Sequence, residues 1–299
     1  KPLEYFYKNL HEQLKNASEN NCRPLELAFF GGTFTSLPDH WQLSFLDLAQ
    51  SFREKGLVTE IRCSTRPDAL DAKRLKELQS HGLDLVELGV QSFSDNVLTA
   101  SGRDYKQEQI LEACSLVRET GLQLGIQLLP GLPNHGIPLW RKDILYTCKL
   151  KPEVVRIYPC LVLKGTALAR LWEKGQYNPW SLNKTLYALS EGLQKCWKNC
   201  IPVIRMGLPP EQSLIGNLLA GPWHPALGNM VKSLVLFDYI HYYASLLGSG
   251  TKLLFIPKKF SGEISGHKGQ LIPKLKRIGI VSKDIRSWDH IFFKIKLKI

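Results

Sequence analysis

LELAFFGGTFTSLP, residues 25–38, is an apolar run that passes straight into a Gly-Gly turn and a small polar segment. A run of large apolar residues suits a strand of a parallel sheet covered on both faces. Gly31 and Gly32 let the backbone approach a ligand that any side chain would hold away. The stretch therefore reads as a strand-to-helix junction with a loop suited to ligand binding, although two glycines can equally serve only to turn the chain.

Outward from this junction, apolar runs recur at residues 25–30, 58–64, 85–90, 122–129, 154–160 and 203–208. Helical patterns lie between them. Residues 107–119 carry Ile110, Leu111, Cys114 and Val117 at helical spacing, and Leu182, Leu186, Leu189, Leu193 and Trp197 stripe a second helix. Each gap between strands accommodates one crossover helix, so the sheet is expected to be parallel with right-handed connections. In such sheets, open or closed, chemistry gathers at the carboxyl ends of the strands.

The residues at those ends fit that rule. They are Gly31-Gly32-Thr33-Phe34, Ser64-Thr65-Arg66-Pro67-Asp68, Gln91-Ser92, Pro130-Gly131-Leu132-Pro133 and Tyr158-Pro159, with Arg205 and Gly207 in the sixth run. Most of these ends offer glycines or hydrogen-bonding side chains, which together describe a rim for a polar ligand. Taken singly they are also ordinary cap and turn residues.

At 299 residues, with 44% hydrophobic and 22% charged residues, the composition is that of a globular chain with a sizeable core. The stretch 234–247 is interrupted by Asp238 and His241, so no membrane span is expected and the protein should be soluble and cytoplasmic. Seven cysteines are scattered without a CxxC pair, as reduced and mostly buried thiols would be. Charge is uneven. Residues 252–299 hold twelve Lys or Arg against three acidic residues, +9 of the total +12, which leaves +3 for the first 251. A basic tail on a near-neutral body suits a polyanionic partner, or else a solvated surface.

The blocks FFGGTFTSLP, STRPDAL, ELGVQSFSDNVL, LGIQLLPGLP, VVRIYPCLVLKGTALARLW and AGPWHPALG, in this order over roughly residues 25–228, resemble the radical S-adenosylmethionine (SAM) superfamily. The similar branch is that of the elongator catalytic subunit and of the relatives of oxygen-independent coproporphyrinogen oxidase. The resemblance implies an α/β fold, a partial (β/α)6 barrel that binds SAM and a [4Fe-4S] cluster, cleaves SAM reductively and abstracts hydrogen from a substrate. It implies a cofactor site in which Gly31, Gly32 and Thr33 meet the SAM amino group, Gln91 and Ser92 lie near its ribose and carboxylate, and Gln127, Leu129 and Gly131 sit in the segment that cradles adenine. Arg66, Arg103, Tyr158 and His224 would face the substrate. Arg66 could instead pair locally with Asp68, and His224 could be a packing residue.

One departure from the family bears on activity. Its cluster is held by a Cys-x3-Cys-x2-Cys loop after the first strand, and no such loop occurs in this chain. Cys196 and Cys200 have the first spacing without a third cysteine, and a spacing of four places both on one helix face as core residues. No metal ligand is therefore expected here. The expected explanation is truncation: a fragment lacking its first βα unit, probed by the amphipathic stripe Leu3, Phe6, Tyr7, Leu10 and Leu14 at its start, with the cluster confined to a full-length form. The edge of residues 25–30 would then be open.

The expected organisation is a barrel with its extension over residues 1–230 and a smaller basic α+β region over residues 231–299. In that region a strand, KLLFIPKKF, precedes the GxxG loop Gly266-His267-Lys268-Gly269, and a short basic helix follows it. KH modules clamp nucleic-acid backbone with such a loop. The terminal FFKIKLKI alternates like an edge strand. RNA is the expected partner through this region, with no DNA or membrane partner. Two alternatives stand beside a radical SAM protein acting on RNA. One is a non-catalytic RNA-binding protein on a decayed barrel. The other is a barrel enzyme for phosphorylated metabolites, disfavoured because no Gly-rich phosphate loop with a nearby Lys opens a helix.

Overall fold

The computed structural model describes residues 2–298. The chain packs as two compact units: the residues up to Ile157 together with Ile201–Ile204, and Tyr158–Cys200 together with the residues from Arg205 onward.

The first unit alternates helices and strands: α1 (Leu3–Glu19), β1 (Leu25–Phe29), α2 (Asp39–Arg53), β2 (Val58–Thr65), α3 (Ala72–Ser80), β3 (Leu85–Gln91), α4 (Asp95–Ala100), α5 (Gln107–Glu119), β4 (Gln123–Leu128), α6 (Ile137–Leu150) and β5 (Val154–Ile157). The chain then passes through β6 (Val162–Leu163), α7 (Ala167–Glu173) and α8 (Leu182–Lys198), and contributes β7 (Val203–Met206) to the same sheet. The sheet order is β1-β2-β3-β4-β5-β7. It is a curled half-barrel of parallel strands, the partial barrel expected from the six apolar runs. Central strands are the most apolar because helices cover them: six of the seven residues of β3 are buried. Among the described residues β1 pairs with β2 alone and forms one edge of the sheet, with Phe30 just past its end 64% exposed.

Local chemistry sets the element ends. Asp71 accepts the Arg74 amide at 2.8 Å to start α3 and Ser181 accepts the Lys184 amide at 3.2 Å to start α8. Pro138 stands in the first turn of α6, where no intrahelical donor is lost. The buried face of α8 runs through Thr185, Ala188, Leu189, Gly192, Leu193 and Cys196, while Leu182, Leu186 and Trp197 of the expected stripe are half-buried at its flank. Cys200 corrects the expectation that it shares a helix face with Cys196. α8 ends at Lys198, and Cys200 follows in a left-handed turn (φ 58°), exposed, while Cys196 is buried.

In the second unit follow α9 (Gln212–Asn217), β8 (Leu218–Ala220), α10 (Leu227–Leu246), β9 (Lys252–Pro257), α11 (Ile272–Arg277), β10 (Ile285–Trp288) and β11 (Lys294–Leu297). Residue 230, the expected boundary, falls inside α10, which packs on α8. β6 and β8 form a two-stranded antiparallel sheet. β9 lies between β10, parallel to it, and β11, antiparallel to it. Ile240, Leu254, Ile256, Ile264, Leu275 and Ile280 form the core beneath this sheet. Among the described residues, no helix is long and apolar enough to cross a membrane.

Candidate functional site

The strand registers bring the ends of the first unit's strands to one edge. Phe29 aligns with Cys63, Thr65 with Leu88, Gln91 with Leu128, and Leu128 with Ile157. Gly31–Thr33, Arg66, Gln91–Ser92 and Leu129–Gly131 therefore leave the sheet at the same rim. Gly31 adopts φ +109°, a conformation closed to residues with a Cβ. No heavy atom lies within 4 Å of where a Cβ would stand on Gly31 or Gly32, so their peptide groups border open space. The loop is nonetheless anchored: Thr35 Oγ1 lies 2.5 Å from Thr65 Oγ1 and donates to the Ala69 carbonyl at 2.6 Å.

The second rim loop is set by a register shift in β3 between Leu88 and Gln91. Gln91 takes φ +67°. A side chain on Gly89 would come within 2.9 Å of Gln91 Nε2, so that glycine makes room for the glutamine amide. Ser92 is buried, and its hydroxyl donates to Asp143 Oδ1 at 3.1 Å, the same oxygen that receives the Phe93 amide at 2.8 Å. The other Asp143 oxygen lies 3.1 Å from His135 Nε2, with both side chains sealed from solvent. His135 follows the third rim loop, whose Leu129 amide donates to the Gln91 carbonyl at 2.9 Å. Asp143 and His135 thus tie the two loops to α6. Sequence reading missed both. Asp143 is the one acid of α6 and directly follows Arg141 and Lys142, so in sequence it reads as a solvated charge, and its meaning depends on Ser92, far away in the chain.

Beneath the rim the barrel interior is charged. Glu87, 1% exposed, lies 2.7 Å from Arg156 Nε and 3.7 Å from Arg62 Nε, and accepts from Gln127 Nε2 at 3.0 Å. Gln127 also donates to Ser64 Oγ at 2.9 Å, which engages both of its N–H donors within the interior. Arg156 stacks over the Phe30 ring at 5.3 Å. Burial, with Glu87 nearby, pushes the Cys63 thiol far up and keeps it protonated. A signal for this cluster was present in the sequence, since Glu87 and Arg156 are single charges inside otherwise apolar runs; Arg62, which shares its run with Glu60, was less conspicuous.

Arg66 does form the local pair, through Nε to Asp68 Oδ1 at 2.9 Å and through Nη2 to Oδ2. It also stands 6.0 Å over the ring of Tyr105, whose hydroxyl donates to the Gly89 carbonyl at 2.7 Å. Burial raises the Tyr105 phenol and Arg103 opposes that rise. Arg66, Arg103 and Tyr105 therefore gather beside the strand that carries Gln91. Tyr158 and His224, expected on the same substrate side, belong to the second unit.

The radical SAM superfamily model matches residues 4–138, and the radical SAM C-terminal domain model matches residues 152–235. The chain belongs to the radical SAM superfamily. It is similar to the tRNA uridine(34) acetyltransferase of Methanocaldococcus jannaschii, 30% identical over 60% of this chain and 37% of that protein. It is also similar to the human Elongator complex protein 3, 27% identical over 57% of this chain and 35% of that protein. The chain thus spans little more than a third of the length of these curated relatives. The solved archaeal Methanocaldococcus infernus Elp3 with an N-terminal deletion shares the fold, with a TM-score of 0.65 at 22% identity over 78% of this chain and 59% of that one.

The radical SAM family implies SAM and a [4Fe-4S] cluster, and the residues present fit the two differently. For SAM, the open space above Gly31 and Gly32, beside the anchored loops at Gln91 and Leu129, is a cradle that a Cβ would fill. For the cluster they do not fit. Among the described residues no group of three Cys, His, Asp or Glu is arranged to hold a metal. Cys63, Cys114, Cys148, Cys160 and Cys196 are buried separately, and burial pushes Cys160 up to about 11 and Cys114 to about 12, away from the thiolate a cluster needs.

In the second unit the GxxG loop is a tight turn. Gly266 and Gly269 have φ +72° and +74°, and Lys268 is left-handed at φ 51°, exposed. A short 3-10 turn, residues 258–260, precedes it and α11 follows. The His267 ring meets the His224 ring edge to face, with centroids 4.8 Å apart. A residue expected at the substrate and the loop expected at nucleic acid are thus neighbours.

Proposed function

We propose that this chain carries the SAM-binding barrel and a tRNA-contacting C-terminal region of a radical SAM protein that modifies RNA. The observation that carries the reading is the rim of Gly31–Thr33, Gln91–Ser92 and Leu129–Gly131, which lies within the stretch matched by the superfamily model. A zwitterionic methionyl group needs donors and acceptors, which the bare peptides of residues 31–33 and the side chain of Gln91 offer, while buried Ser92, bonded to Asp143, fixes the loop that presents Gln91. Adenine needs apolar walls and backbone hydrogen bonds, which the segment from Gln127 to Gly131 offers. SAM held at this rim would supply the radical chemistry of the family only where a cluster were provided by residues other than those described. The part that falls to the residues present is to hold and orient SAM.

RNA as substrate draws on two supports: relatives named for tRNA uridine modification, and the +9 balance of residues 252–299. Fluorescence anisotropy with a labelled tRNA transcript tests it. Affinity should fall steeply between about 50 and 200 mM salt, as counterion release by several phosphate contacts requires. An affinity that ignores salt, or no binding at low salt, contradicts the RNA reading.

A further inference from the structure

We infer that His224, His267 and Lys268 form one phosphate-binding site, which takes a backbone phosphate of a single-stranded RNA. The inference deepens the RNA reading above by naming the site and rests on it for the source of the phosphate.

Two separately built segments converge here. His224 belongs to the loop before α10, and that loop has little freedom. Trp223 Nε1 donates to the Leu208 carbonyl at 3.3 Å. A Cβ on Gly221 would meet Leu161 at 3.0 Å and the Cys160 carbonyl at 3.2 Å, and one on Gly228 would meet the Met206 carbonyl at 3.0 Å. The Ala226 amide donates to His224 Nδ1 at 3.0 Å. That bond makes Nδ1 the lone-pair nitrogen, so the neutral ring carries its proton on Nε2 as a donor.

The second segment is equally fixed. A Cβ on Gly266 would lie 2.7 Å from Leu271 Cγ, and the Leu271 amide closes the turn on the Ser265 carbonyl at 2.9 Å. This turn holds His267 against His224 and leaves the Lys268 side chain in solvent. Burial, with His267 and Lys268 beside it, lowers the pKa of His224. The site is therefore short of negative charge, and a phosphate relieves it. Two imidazoles held in contact by fixed loops, with an exposed ammonium beside them, supply donors with no acidic group among those that shift His224.

The test follows the imidazole NMR signals of His224 and His267 in the whole chain during titration with oligouridylate and, separately, with inorganic phosphate. Binding of oligouridylate is measured in parallel for the wild type and for Lys268→Ala, which alters an exposed side chain only. The site predicts that both imidazoles shift together with oligouridylate. Lys268→Ala should weaken binding about fivefold, the worth of one exposed charged contact, and flatten the salt slope by about 0.7. If oligouridylate binds without moving either ring, the site is overturned and the RNA reading stands. If inorganic phosphate moves both rings while RNA does not bind, the phosphate site stands and the RNA reading falls. If neither ligand moves them, the site is overturned.

Discussion

Glu87 shows at the scale of a single residue how this barrel is arranged. Its carboxylate is sealed between Arg156 and Arg62 and also accepts from the Gln127 amide, so one negative charge faces two guanidiniums and an amide. Removing one partner of a buried ionic cluster leaves uncompensated charge, at a cost of roughly 3–5 kcal/mol. Glu87→Ala should therefore lower the unfolding free energy in urea by about that amount, and a change below about 0.5 kcal/mol would show that the cluster is not holding the barrel interior. The sequence marked this cluster, because a lone charge inside a strand covered on both faces must find a partner. It could not name the partner, since Glu87 meets Arg156 only through the registers of β3, β4 and β5. Asp143 was less legible still: its contact with Ser92 bridges 51 residues.

At the scale of elements, most of the first unit was legible. Each of the six apolar runs contains an observed strand, and residues 107–119 form α5 with the expected bounds. Periodicity carries this information because burial on both faces of the sheet demands continuous apolar runs. Its limits lie at element ends and in pairing. The end of α8 before Cys200 depends on a cap and a left-handed turn, which spacing alone does not reveal. In the basic region the strands within KLLFIPKKF and FFKIKLKI were legible, but their pairing was not, since β9 pairs with Ile285 and its neighbours in parallel and with Lys294–Leu297 in antiparallel register. The edge position of β1 has a measurable consequence. Edge strands open more easily than central ones, so amides of β1 should exchange with solvent well before those of β3 and β4. Equal protection across these three strands would contradict the edge position of β1.

For the whole molecule, two sets of polar groups occupy two compact units. The first carries the rim of glycine, amide and hydroxyl groups, and the second carries the basic C-terminal sheet with the paired histidines. The charge asymmetry was legible from the sequence, whereas the neighbourhood of His224 and His267 became visible only in the fold. The central claim is that the rim of the first unit binds SAM. Its most direct test is amide NMR of the whole chain titrated with SAM, for the wild type and for Gly32→Val, whose side chain would occupy the open space above the turn. The account predicts shifts confined to Gly31–Thr33, Gln91, Ser92 and the segment from Gln127 to Gly131 in the wild type, and their loss in the variant. Shifts elsewhere, or an unchanged response in Gly32→Val, would contradict it.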